Sequence, residues 1–244
     1  MDSSVDPDNL SRFAAVAREW WDPNGKFAPL HRMNPARLAV IRETCLAHFG
    51  RDGRSRTPFF GLRLLDIGCG GGLVAEPMTR LGFAVTAVDA AGVSLDIARA
   101  HADGAGLAID YREATAEALV SAGESDFDAV LALEVIEHVT DPRAFLTELA
   151  ALTRPGGIAI VSTLNRTWRS LALGKIAAEY LLRWAPAGAH DWRKFITPDE
   201  LGGWLRGAGF EPQAAAGLAF DPLGGRWRRS ADTAINYMMT ATRI

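Results

Sequence analysis

Short apolar runs recur through the middle of the chain, each followed by a stretch with helical spacing. Leu62-Arg63-Leu64-Leu65-Asp66-Ile67 reads as a strand that runs into glycines, and Ala84-Val85-Thr86-Ala87-Val88-Asp89 as a second that ends on an acid. Ala108-Ile109-Asp110-Tyr111 is a weaker third. Ala129 to Leu133 is continuously apolar, the pattern of a strand buried on both faces. Ile158 to Val161 is the fifth, preceded by a turn at Pro155-Gly156-Gly157. Helical stretches fill the gaps at Val74–Leu81, Val93–Ala105 and Pro142–Leu152, the last opened by Asp141 as N-cap and Pro142 at the first helical position. Ala234 to Thr240 reads as a late strand.

Strands alternating with helices build βαβ units with right-handed crossovers, hence an α/β fold with a parallel sheet. No repeat or low-complexity linker interrupts the series. The organisation expected is an N-terminal helical extension over residues 1–60, with its helix from Asp8 to Phe49, followed by one core over 61–244. Asp221 to Arg229 reads as a turn-rich loop whose Arg226-Trp227-Arg228-Arg229 is a solvated surface.

Composition narrows the class. Of 244 residues, 48% are hydrophobic and 23% charged, the mix of an ordinary globular protein rather than a disordered one. The longest uncharged apolar stretch, Gly156 to Asn165, has ten residues, too few to span a bilayer. Met1 to Asn9 is acidic and polar, unlike a signal or transit peptide. Two cysteines, Cys45 and Cys69, give no disulfide framework, so a reducing, cytoplasmic setting is expected.

The net charge of −3 is unevenly spread. Residues 61–160 carry 6 basic against 15 acidic side chains, whereas 1–60 carry 9 against 7 and 161–244 carry 11 against 7. An acidic centre excludes a nucleic-acid substrate, whose phosphates need a basic footprint.

The chemistry starts at Asp66-Ile67-Gly68-Cys69-Gly70-Gly71-Gly72, at the carboxyl end of the first strand, where open α/β sheets bind ligands. Glycines let the backbone approach a ligand closely, and the next helix start offers free N–H groups. A dinucleotide and S-adenosylmethionine both fit such a place. Gly70, Gly72 and Ala75 formally match the dinucleotide pattern, with Asp89 at the expected distance for ribose hydroxyls. Asp66 weighs the other way: its carboxylate opposes a pyrophosphate but suits the ammonium and sulfonium of S-adenosylmethionine. Cys69 reads as a small buried residue rather than a nucleophile, because no basic partner lies near it in sequence.

Leu64 to Gly72, Val88-Asp89 and Arg154-Pro155-Gly156-Gly157 together resemble the class I S-adenosylmethionine-dependent methyltransferases, which implies a Rossmann-like, seven-stranded, mostly parallel sheet. Sequences outside that core are similar to the bacterial ubiquinone-biosynthesis O-methyltransferase family. They are Glu19 to Gly25, Pro29 to Leu38, Ser162 to Arg166, His190 to Ile196 and Asn236-Tyr237-Met238, so that the similarity runs from about Phe13 to Tyr237. The resemblance implies methyl transfer to two catechol-type hydroxyls of a polyprenylated phenol or quinol, one early and one late in ubiquinone biosynthesis. It implies cofactor contacts at Arg37, Gly68, Asp89 and Leu133, joined from the loop reading by Asp66 and Gly70. Where family members carry methionine, this chain has Leu133, a change that a backbone contact survives. A ubiquinone-biosynthesis complex is the implied protein partner.

Glu134-Val135-Ile136-Glu137-His138 follows the fourth strand at the same sheet edge. If the chain turns helical at Glu134, then Glu134, Glu137 and His138 share one face. Two carboxylates and an imidazole suit a divalent cation, magnesium before a thiolate-type metal, and the resemblance implies magnesium dependence. A phenol has a pKa of about 10, so little phenolate exists at neutral pH. A metal on the catechol oxygens, or His138 as general base with Glu137 beside it, answers that need. The plain alternative is that this cluster only shapes the pocket.

Asn165 to Lys194, the insertion at 164–194, is long for a loop in a compact domain. Its aromatics, with six basic side chains against Glu179 and Asp191, suggest an amphipathic helix. Such a helix either lies on anionic lipid at the inner face of the cytoplasmic membrane, where a polyprenylated substrate resides, or closes over the site as a lid. Trp20 and Trp21 are expected on the N-terminal helix, with at most one facing the core. His31 and His190 are candidates to touch a substrate hydroxyl. Two rival functions remain beside the main reading: methylation of another small phenol, and a non-catalytic cofactor-binding role in a biosynthetic assembly.

Overall fold

The computed structural model describes residues 19–172, 192–221 and 224–244. In it the strand Arg63–Ile67 (β1) sends Leu64 to one hydrophobic cluster and Leu65 and Ile67 to another. The same split divides Ala84–Asp89 (β2), Phe127–Leu133 (β4) and Thr153–Leu164 (β5): Ala87, Leu131 and Ile160 face the first cluster, and Val88, Val130 and Val161 the second. Side chains alternate across a strand, so a near-continuous apolar run has both faces buried.

Asp110–Glu113 (β3), Phe210–Pro212 (β6) and Asn236–Arg243 (β9) complete a seven-stranded sheet in the order β3-β2-β1-β4-β5-β9-β6. β9 is antiparallel to both neighbours, and the pairs from β3 through β5 are parallel. The doubly wound, mostly parallel sheet expected from the sequence is therefore present.

Helices Ala28–Phe49 (α1), Ala75–Arg80 (α2) and Gly92–Gly104 (α3) contribute to the first cluster, through Ile41, Met78 and Leu95 among others. Ala116–Ser121 (α4), Pro142–Leu152 (α5) and Pro198–Gly207 (α6) contribute to the second, through Leu119, Leu149 and Leu205. α5 begins as expected, the Asp141 carboxylate accepting the Arg143 and Ala144 N–H groups. α6 opens with a reciprocal cap between Thr197 and Glu200.

Two sequence expectations change. The Pro155-Gly157 turn lies inside β5 as a bulge: Phe127 pairs with Thr153, but Ala129 pairs with Ile158. Pro155 has no N–H to give the ladder, and Gly156 has φ +73°, so the chain loops out and rejoins in register. The stretch expected as a loop at Asp221–Arg229 is a hairpin, Gly217–Asp221 (β7) against Arg226–Ser230 (β8). The three arginines of the run, Arg226, Arg228 and Arg229, are exposed as expected, while Trp227 is half-buried and packs against the first cluster. No helix among the described residues is long and apolar enough to cross a membrane.

Candidate active site

The carboxyl ends of β1, β2 and β4 bring the predicted residues to one edge of the sheet. Gly68 follows β1 with φ +71°, and its N–H donates to the Val88 carbonyl at 2.8 Å. A Cβ there would lie 2.4 Å from Val135 Cγ2, so the turn after β4 packs directly on the glycine loop. Gly70 has φ +52° and donates its N–H to Asp89 Oδ2 at 2.9 Å; Asp89 Oδ1 accepts the Ala91 N–H at 2.8 Å. Burial pushes the Asp89 carboxyl above its ordinary value and those two N–H groups pull it down. The residue read as a ribose acceptor is thus fixed at the end of β2.

Asp66 lies inside β1, 2% exposed, with Oδ2 lacking a hydrogen-bond partner. Burial pushes its carboxyl up to about 7, against the attraction of Arg37 and with help from the charge of Asp89. Arg37 projects from α1 and is 5% exposed. Its Nε and Nη2 donate to Asn34 Oδ1 at 3.2 and 3.0 Å, and Asn34 Nδ2 donates to the Leu73 carbonyl at 2.8 Å. No carboxylate among the described residues comes within ion-pair distance of Arg37, although Glu134 and Asp66 are near enough to favour its charge against burial.

Trp20 and Trp21 lie in the turn ahead of α1 rather than on a helix, and both are used. The Trp20 ring covers Gly70 and Gly71, stacks on Phe27 at 3.8 Å and donates from Nε1 to Ser94 Oγ. Trp21 donates from Nε1 to the Gly71 carbonyl at 3.0 Å and stacks on His101 at 3.4 Å. His31 is structural, its Nε2 within 2.7 Å of the Trp20 carbonyl. His190 lies outside the described residues. Cys69 is buried with its thiol driven well above its ordinary value by burial first, then by Asp66 and Asp89, so it stays protonated.

Leu133 ends β4, and there the expected helical face does not form. Glu134 takes a left-handed backbone, φ +58°, and only Ile136–His138 turns, as a short 3-10 helix. Ser162 Oγ donates to Glu134 Oε1 at 2.7 Å and accepts the Glu134 N–H at 3.1 Å. Glu137 is 4% exposed with neither carboxylate oxygen hydrogen-bonded, and burial together with the Glu134 charge drives its carboxyl well up. His138 is half-buried. The helical face on which Glu134, Glu137 and His138 were expected to meet a divalent cation does not form. Among the described residues no three His, Cys, Asp or Glu side chains come together to hold a metal ion, because the left-handed step at Glu134 breaks the i, i+3, i+4 face.

Asn34 and Ser162 are the polar residues the sequence reading passed over. Asn34 stands three residues before Arg37 on one helix face, a spacing that signals contact; Ser162 opens a stretch that resembles the family, but its contact with Glu134 arises only through the β4–β5 pairing.

Residues 8–215 match the family described as "Methyltransferase domain". The chain is 59% identical to the ubiquinone biosynthesis O-methyltransferase of Caulobacter sp. (strain K31), over 98% of this chain and 95% of the relative. It belongs to the ubiquinone biosynthesis O-methyltransferase family. A further member, from Dinoroseobacter shibae, is 55% identical over 98% of this chain and 97% of its own length. Among solved structures, a SAM-dependent methyltransferase from Thermotoga maritima aligns with a TM-score of 0.65 at 20% identity, covering 97% of this chain and all 100% of that one. The magnesium protoporphyrin IX methyltransferase of Synechocystis, with SAH bound, aligns with a TM-score of 0.64 at 17% identity over 97% and 94%. These two structures establish the class I methyltransferase fold. Membership of the family makes this protein an S-adenosylmethionine-dependent O-methyltransferase of ubiquinone biosynthesis.

Proposed function

We propose that the protein methylates catechol-type hydroxyls of polyprenylated ubiquinone precursors, at both O-methylation steps, and that the sheet edge described above is its active site. The acceptor class follows from the family's name and its identity to this chain. What carries the site assignment is one observation: Arg37 and Asp66, opposite in sign and both buried, lie at the glycine loop with no ion-pair partner among the described residues. Those charges complement the two ends of an α-amino acid. Arg37 would hold the carboxylate and Asp66 the ammonium, with Asp89 taking the ribose hydroxyls and the backbone at Gly68, Gly70 and Leu133 completing the cradle.

When bound, S-adenosylmethionine supplies a methyl group on a cationic sulfur that leaves as a neutral thioether. The protein's task is to align the acceptor oxygen with that methyl and to take one proton from the phenol. His138, half-buried at the end of β4, is the base for that proton. Glu137, buried beside it and driven toward its neutral form, is the neighbouring carboxyl.

Much of the 164–194 insertion, residues 173–191, lies outside the described residues. Its flanks support the reading that it meets an anionic membrane surface: Trp168 is 77% exposed and stacks on Trp192 at 5.7 Å. A place in a ubiquinone-biosynthesis complex belongs to the same reading.

The test is transfer of labelled methyl from S-adenosylmethionine to a catechol bearing a short prenyl chain, with anionic liposomes present. Labelled ether is the expected product. Cofactor binding without any product would overturn the acceptor assignment and leave the fold untouched.

A further inference from the structure

Arg37 is buried, yet the group that holds its guanidinium is neutral. Asn34 Oδ1 takes two donors of the fork, from Nε and Nη2 at 3.2 and 3.0 Å, leaving Nη1 out of that pair of bonds. A carboxylate in the same position would hold the fork more strongly but would cancel the charge that an incoming carboxylate needs. The amide's other end is equally committed: Nδ2 donates to the Leu73 carbonyl at 2.8 Å, immediately after the glycine run. One side chain, 8% exposed, thereby ties the guanidinium on α1 to the glycine loop after β1.

We propose that Asn34 is a positioning residue for the cofactor's carboxylate, acting through Arg37. It fixes the guanidinium's rotamer and its distance from the glycine loop while leaving its charge whole. An arginine side chain has large rotamer freedom, so a fork already held before the ligand arrives spares that ordering cost on binding. This inference rests on the assignment of Arg37 to the methionine carboxylate, and the experiment separates the two.

Calorimetry is run with S-adenosylhomocysteine, which carries the amino-acid end, and with 5′-methylthioadenosine, which lacks it, on the wild type and on Arg37→Ala, Asn34→Ala, Asn34→Asp and the double Asn34→Ala/Arg37→Ala variant. Asn34→Ala is expected to weaken S-adenosylhomocysteine about tenfold, the size of one charge-assisted hydrogen bond, and to leave methylthioadenosine unchanged. The double variant should bind S-adenosylhomocysteine no worse than Arg37→Ala, since Asn34 has nothing left to position. Asn34→Asp, of the same shape, should weaken S-adenosylhomocysteine as well, by neutralising the guanidinium.

If Asn34→Ala weakens both ligands equally, Asn34 is only structural and the proposal falls. Wild-type affinity in Asn34→Asp would overturn the argument for a neutral acceptor. Should Arg37→Ala itself bind S-adenosylhomocysteine normally, the Arg37 assignment fails; selective loss in Arg37→Ala with none in Asn34→Ala sinks the Asn34 inference alone.

Discussion

The two halves of the sheet edge handle buried carboxylates in opposite ways. At the end of β2, Asp89 has each oxygen bonded to a backbone N–H, from Gly70 and from Ala91. At the end of β4, Glu137 is buried with neither oxygen bonded, and its neighbour Glu134 spends an oxygen on Ser162. Backbone donors hold the Asp89 carboxylate in place before any ligand arrives and offset part of the upward push of burial; Glu137, without such donors, is driven further toward neutrality. On the proposed assignment the cofactor half is therefore built in advance, whereas the proposed acceptor half keeps polar groups that only a further molecule or a proton satisfies. Asp66 stands between the two, on the cofactor side by position and like the acceptor side in its orphaned Oδ2.

The largest test of that division is His138→Ala. If the β4 end performs the proton transfer, kcat falls about a thousandfold, the usual reach of a general base, while S-adenosylhomocysteine binds as before. Loss of cofactor affinity of similar size would erase the separation between the halves. Next in size is Asp89→Ala, which removes the proposed ribose acceptor and also orphans the Gly70 and Ala91 N–H groups. Cofactor affinity should drop about a hundredfold by calorimetry, with the pH dependence of the remaining turnover unchanged.

A third prediction concerns pH. The Asp66 carboxyl sits at about 7, so its ionised fraction falls through the neutral range. Affinity for S-adenosylhomocysteine should weaken about tenfold from pH 8 to pH 6, as protonation removes the acceptor for the ammonium. Asp66→Asn should bind weakly at both values and lose that slope. A wild-type affinity flat across this range would take Asp66 out of the ammonium's site.

Most of the fold and the cofactor half were legible in the chain because their signals are local. β2 was read at its observed ends, Ala84–Asp89, since an apolar run and its terminal acid lie together in sequence. α5 was read likewise from Asp141 and Pro142. The acceptor half was less legible. Whether Glu134, Glu137 and His138 share a face depends on one backbone dihedral, the left-handed turn at Glu134, which is fixed by Ser162 some thirty positions on, in the adjacent strand. The hairpin β7–β8 was missed for a related reason. Three arginines in four residues point to solvent, and they are exposed; only the pairing with β7 and the packing of Trp227 on the first cluster make the run a strand.

The smallest predicted effect is on stability, and its sign is the informative part. Asp66 binds its proton more tightly folded than unfolded, its ordinary value being 3.8 against about 7 here. Between those values the native state holds a proton the unfolded chain has lost, so stability falls as pH rises through the window. Above it the ionised, buried carboxylate costs on the order of 4 kcal/mol relative to the protonated form. In Asp66→Asn that cost disappears, though the amide leaves its own NH2 without a partner, a penalty of about 1–3 kcal/mol. The variant should therefore melt roughly 3 °C higher than the wild type at pH 8, a net gain of about 1 kcal/mol, and lose the advantage by pH 4. A variant less stable than wild type at pH 8 would mean that Arg37 and its surroundings repay Asp66 in the free protein, which would then join Asp89 as a group satisfied before the cofactor arrives.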